Sequence, residues 1–158
     1  MNGDATLFRD LGEPEAETEY SLCLYDTSLD EPVFATRLLI PANGLWERTG
    51  RNTGYRFSDR DGSFDGVSRV RLKAGLQGRA RVTLLARGVN VPMPGPVSPF
   101  QYFEFDPALI AQLVNSEGIC WSTTYSVDDV DVNGAERFKA GFRSVSYTHL
   151  TLPTICSV

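Results

Sequence analysis

The sequence predicts an all-β domain, an antiparallel β-sandwich or barrel of about 8–10 short strands. Three observations carry that expectation. Short runs rich in apolar and aromatic residues recur along the chain, each closed by a turn signal. No stretch has the length and 3.6-residue periodicity of a convincing helix. Four prolines, Pro92, Pro94, Pro96 and Pro99, crowd the segment from Val91 to Pro99, which must be a loop or an edge.

Residues 1–19 show no clean period and read as an irregular acidic segment, with the β domain following over 20–142. Tyr20 to Tyr25 (YSLCLY) is a strand stopped by Asp26-Thr27-Ser28, and Val33 to Ile40 is a second, stopped by Pro41-Ala42-Asn43-Gly44. Leu45 to Arg48 is a short third. Gly54 to Ser58 alternates into the turn Asp59-Arg60-Asp61-Gly62, and Val67 to Lys73 leaves it as the next strand. If Ala74 to Gly78 is the following loop, Arg79 to Ala86 completes a series of hairpins. Leu109 to Val114 fits a helical turn or a strand. Beyond the turn Asn115 to Gly118, Ile119 to Val127 is strongly strand-like, and a short strand near Arg137 to Phe142 closes the domain.

A chain of 158 residues is one domain long, and folding at that size buries roughly two thirds of the unfolded surface. Hydrophobic residues at 42% and charged residues at 22% are ordinary globular values, which argues against a disordered chain. The longest apolar runs, such as Val82 to Ala86, are too short to span a bilayer. The start, Met1-Asn2-Gly3-Asp4, lacks the basic and apolar regions of a signal peptide, so the chain is either cytosolic or a part of a longer exported one.

Ser146 to Val158, SYTHLTLPTICSV, resembles a translated sequencing-adapter peptide seen at the ends of unrelated metagenomic reading frames. The expectation is a non-native tail over 143–158 that stands outside the fold. That tail holds the single histidine, His149, so residues 1–145 carry none. Without imidazole, Ser-His-Asp and Cys-His nucleophiles, histidine general bases and His-ligated zinc all drop out. No catalytic residue and no cofactor are therefore expected.

Carboxylate chemistry survives that filter and needs separate weighing. Asp129, Asp131 and Asn133, in DVDVNG, match the opening of a calcium loop, where alternate oxygens wrap a cation. The twelfth position is Ala140 rather than an acid, so a solvated acidic turn stands beside the calcium reading. Asp59, Asp61 and Asp65 cluster too, but one tight turn rarely holds two carboxylates at the separation glycoside hydrolysis requires. Trp46, Tyr55, Tyr102, Phe103, Trp121 and Tyr125 would suit either a sugar-stacking platform or a core.

Charge supplies the sharpest surface expectation. The net charge is −5, yet the first twenty residues hold six acids against one base, and Arg69 to Arg87 holds six bases and no acid. Arg69, Arg71 and Lys73 alternate with Val70 and Leu72, and Arg79 and Arg81 alternate with Ala80 and Val82, so each set shares a sheet face. A 74–78 loop would set Lys73 opposite Arg79 and Arg71 opposite Arg81. Like charges opposed across strands destabilise a sheet, so this face should recruit anions: water and salt, the acidic segment Glu13 to Glu19, or an external polyanion.

Leu22 to Asp26 (LCLYD), Gly54 to Gly75 (GYRFSDRDGSFDGVSRVRLKAG), Gln112 to Trp121 (QLVNSEGICW) and Phe138-Lys139-Ala140 together resemble a poorly characterised β module of large secreted or surface proteins of environmental Gram-negative bacteria. The likeness runs over most of residues 20–142. It implies an exported or cell-surface setting and a non-enzymatic accessory region; the sequence names no partner, the candidates being other domains of the parent protein or, from the basic ladder, a surface polyanion. The oxidising compartment it implies makes Cys23 and Cys120 a disulfide candidate, against the alternative of two buried thiols. The function expected is thus a non-catalytic structural or interaction domain; the alternative is a carbohydrate- or calcium-dependent binding module.

Overall fold

The computed structural model describes residues 5–29, 31–104, 108–134, 137–140 and 146–147. Its strands are β1 (Tyr20–Ser28), β2 (Glu31–Ile40), β3 (Trp46–Thr49), β4 (Gly54–Ser58), β5 (Val67–Lys73), β6 (Arg81–Ala86), β7 (Leu109–Asn115), β8 (Cys120–Tyr125), β9 (Val130–Gly134), β10 (Arg137–Ala140) and β11 (Ser146–Tyr147). Every pairing is antiparallel. One open sheet runs β11-β8-β7-β1-β2 and a second runs β3-β4-β5-β6, with β9-β10 as a separate ribbon. The two large sheets pack together as a sandwich, and neither closes into a barrel.

Aromatic side chains fasten the sheets to each other. Tyr20 of β1 lies 5.5 Å from Trp46 of β3 and 6.3 Å from Trp121 of β8, between ring centroids, and Trp46 lies 5.3 Å from Phe57 of β4. Leu38, Ile40, Val70, Leu72 and Leu113 fill the space around them. The indole N–H groups are not left bare: Trp46 donates to the Pro41 carbonyl at 3.0 Å and Trp121 to the Thr6 hydroxyl at 3.2 Å. A second cluster, around Phe103 and Leu109, receives Leu24, Tyr125 and Val130.

The irregular segment before β1 belongs to this core. A 3₁₀ turn over Phe8–Leu11 buries Leu11 and stacks Phe8 on Tyr55 at 5.1 Å. The hydroxyls of Tyr20 and Tyr55 donate to the carbonyls of Leu11 and Gly12. Gly12 sits at φ +63°, where a Cβ would come within 2.1 Å of the Glu117 carboxylate, so both conformation and space demand glycine.

The structure settles one open alternative, corrects one expectation and adds a pairing near the end of the chain. Leu109 to Asn115 is a strand between β1 and β8, its partners on both sides overriding any helical turn. The stretch Val130 to Gly134, expected as a turn, is β9, paired with β10. Of the segment 143–158, Ser146 and Tyr147 pair with Ser122 and Trp121 along the free edge of β8. An edge offers unpaired backbone groups that an extended peptide of almost any sequence can meet. The rest of 148–158 and the end of the expected strand at 141–142 lie outside the described residues.

The Cys23–Cys120 bond is not formed, and Cys120 is a free thiol. Cys23 aligns with Gln112 of β7, which aligns with Ser122 of β8, whereas Cys120 aligns with Val114. With β7 between them, the two cysteines are two strand spacings apart, about 9–10 Å, beyond the roughly 7 Å that a disulfide spans. Burial pushes the Cys120 thiol's pKa up, which favours the protonated form.

Candidate anion-binding face

Strict alternation builds this face. Tyr55 and Phe57 of β4, Val70 and Leu72 of β5, and Val82 and Leu84 of β6 turn into the core. Their neighbours Arg56 and Ser58, Arg69, Arg71 and Lys73, and Arg81, Thr83 and Leu85 turn out to solvent. Across the strands Arg56 faces Arg71, which faces Thr83, and Lys73 faces Arg81.

The pairing differs by two residues from the one expected for β5 and β6. The connection is longer than 74–78, because Gly75 is held by a reciprocal pair of backbone hydrogen bonds with Thr6 at 2.9 and 3.0 Å. The chain then turns at Leu76 to Arg79, and Ala80 is buried before β6 begins. Arg79 is therefore an exposed turn residue and leaves the ladder, while Lys73 takes Arg81 as its partner. Arg56 joins the face instead. Its signal was available in GYRFS, where inward Tyr55 and Phe57 force Arg56 outward.

Counter-charge on this face is sparse. Arg56 pairs with Glu47 at 2.5 Å. Among the described residues no carboxylate lies within 4.0 Å of the charged groups of Arg69, Arg71, Lys73, Arg81 or Arg87. The acidic segment is held elsewhere: its Glu15 binds Arg48 of β3 at 3.1 Å, and its Thr18 donates to Glu117 of the β7–β8 turn at 2.8 Å.

At one end the face dips into an open hollow of about 410 Å³, lined by Arg56, Arg69, Arg60 of the β4–β5 turn and Arg87 just past β6. The carboxylate in its wall, Asp59, is already engaged. One oxygen accepts from the Asp61 N–H at 3.0 Å and the other from the Ser63 N–H at 2.7 Å. Burial pushes its pKa up, but these hydrogen bonds outweigh that and hold the pKa below the usual aspartate value.

The other candidate residues do not assemble. Asp129 accepts from the Ser126 N–H at 2.9 Å, Asp131 pairs with Lys139 at 2.6 Å, and Asn133 accepts from the N–H groups of Tyr102 and Phe103. Spread along the start of β9 and committed separately, they form no calcium cradle, and no metal-holding cluster occurs among the described residues. Asp65 turns away from Asp59 to accept the Leu39 N–H at 2.8 Å, capping the exposed edge of β2. Trp46, Tyr55, Phe103 and Trp121 are core residues, so they offer no flat platform to sugars. No helix among the described residues is long and apolar enough to cross a membrane.

Comparison with protein-family models, with curated proteins and with solved structures finds no match to this chain.

Proposed function

We propose that this chain is a non-catalytic interaction domain of an exported protein, and that the outer face of β4, β5 and β6 is its working surface. The observation that carries the reading is the opposition of like charges, Arg56 to Arg71 and Lys73 to Arg81, with Glu47 as the acidic partner at hand. A sheet gains nothing internally from such an arrangement, whereas an external anion turns it into attraction. The exported setting is carried by the resemblance to surface-protein β modules alone. Large accessory proteins of that kind meet acidic surface polymers or neighbouring domains, and either would be held by the same field.

Titration with dextran sulfate, followed by fluorescence anisotropy of the labelled polymer, tests the reading. Binding is expected at low ionic strength and should weaken steeply as salt shortens the screening length. The double variant Arg71→Glu with Arg81→Glu should abolish it while the melting temperature stays within a few degrees, since both side chains are exposed. Absence of binding at low salt, or undiminished binding by the double variant, would end the proposal.

A further inference from the structure

The structure assigns a specific subsite within that basic face: the hollow bounded by Arg56, Arg60, Arg69 and Arg87 receives a carboxylate- or sulfate-bearing sugar unit of an acidic polysaccharide. This rests on the reading of the face as an anion-binding surface and adds to it a ligand class and a place.

Four arginines line the hollow from separate parts of the chain, β4, the β4–β5 turn, β5 and the segment after β6; Arg56 is paired with Glu47, and Arg60, Arg69 and Arg87 have no carboxylate within 4.0 Å among the described residues. The hollow is open to solvent and has a volume of about 410 Å³, a concavity at the end of the charged strand face. The planar guanidinium fork matches the two oxygens of a carboxylate or sulfate, which a lone ammonium does not. Asp59, the carboxylate in the lining, gives both oxygens to backbone N–H groups of its own turn, so it is occupied by the turn and not by the arginines.

Hydroxyls complete a sugar-like lining. Ser68 donates to the Leu85 carbonyl at 3.2 Å, which leaves its oxygen able to accept from a ligand hydroxyl, and Ser58 stands beside it. From the hollow, Arg69, Arg71 and Lys73 continue along β5 at intervals of about 6.6–6.8 Å, a track for further acidic groups. No aromatic ring lines the hollow. Single-stranded nucleic acid is typically gripped by stacking its bases on such rings, and duplex DNA by a helix or ribbon in its groove; neither device is present on this face. Charge with hydroxyl chemistry and no stacking surface favours the polysaccharide.

The test compares polygalacturonate, dextran sulfate and an oligothymidylate of equal charge against wild-type protein, Arg60→Ala with Arg87→Ala, and Arg71→Glu with Arg81→Glu. Wild type should prefer both polysaccharides over the oligonucleotide by about tenfold or more at matched salt, a gap of roughly 1.4 kcal/mol. Arg60→Ala with Arg87→Ala should erase that preference and leave only weak, salt-sensitive binding through the β5 ladder. Should this variant fold poorly, Arg87→Gln alone, at an exposed position, should lose part of the preference. If the hollow variant keeps the full preference while the ladder variant loses binding, the subsite is refuted and the working surface stands. Tighter binding of the oligonucleotide overturns the ligand class. No binding of any of the three at low salt overturns the underlying reading as well.

Discussion

The two sheets of the sandwich spend their residues differently. In the five-stranded sheet, β1 is buried on both faces: Tyr20 points at the opposing sheet, while Ser21, Cys23, Tyr25 and Thr27 are buried as well. β7, its neighbour on one side, and β8 beyond it contain no charged residue, whereas β2 on the other side, at the sheet's edge, carries exposed Glu31 and Arg37. In the four-stranded sheet, β5 alternates, with Val67, Val70 and Leu72 buried and Arg69, Arg71 and Lys73 exposed. The middle strands of one sheet are committed to the interior, while the other sheet divides its strands between interior and solvent. A surface for binding is therefore available on the second sheet at little cost to the core, because each outward position there is uncoupled from packing by the two-residue period.

That contrast can be broken most forcefully in the shared core. Trp46→Ala removes a side chain lodged between Tyr20 and Phe57 and strips the Pro41 carbonyl of its indole donor. A loss of about 3–5 kcal/mol in urea unfolding is expected. Thr83→Ala, on the outward side of β6, should stay within about 0.5 kcal/mol. Comparable losses from the two would mean that the outer face carries packing after all.

A middle-sized effect separates the turn from the ladder. Asp59 has a folded-state pKa below its unfolded value, so its contribution to stability is fully present above the unfolded value, about 4, and fades as pH falls through the folded one. The stability difference between wild type and Asp59→Asn should therefore be steady from pH 7 to about 5 and shrink below about 4. A difference that grows on acidification would contradict the hydrogen-bonded turn. Because its charge is absorbed by the Asp61 and Ser63 N–H groups, Asp59→Asn should not mimic the loss of an arginine counter-ion.

The same contrast explains what the sequence made legible. Gly54 to Ser58 and Val67 to Lys73 were readable to the residue, because one face meets water and the two-residue period is written into them. Leu109 to Asn115, buried on nearly every side, shows no such period, and a continuous apolar run leaves helix and strand undecided. Register was harder still. The pairing of β5 with β6 depends on Thr6, some seventy residues upstream, pinning Gly75, a long-range contact that no local pattern encodes. So the basic face is visible in the sequence while its partners are displaced: the local pattern puts Arg79 on it and leaves Arg56 out, whereas Arg56 faces Arg71 and Lys73 faces Arg81. Of the aromatic residues, ambiguous between platform and core, Trp46, Tyr55 and Trp121 are resolved by the two sheets closing on each other, and Phe103 by its separate cluster with Leu109.

The smallest effect tests whether the basic face is a strained arrangement or merely an exposed one. Arg71 stands directly opposite Arg56, and cross-strand Cβ atoms in such pairs lie about 4.5–5.5 Å apart. Arg56 has Glu47 on its other side, which relieves part of the repulsion. Arg71→Thr removes the like charge and installs a residue that favours strands, so the domain should gain about 0.2–1 kcal/mol at low ionic strength. Screening provides the internal control, because the Debye length falls from about 30 Å at 0.01 M salt to about 3 Å at 1 M. The electrostatic part of the gain should therefore disappear at high salt, and whatever remains measures strand preference. Arg71→Lys, which keeps the charge, should show no gain at either salt. A gain in Arg71→Thr accompanied by weaker dextran sulfate binding would show that this sheet gives up stability to keep a charge its ligand requires. A loss of stability at low salt would instead mean that the Arg71 stem packs usefully over its neighbours, and that the outer face contributes to the fold it was taken to be independent of.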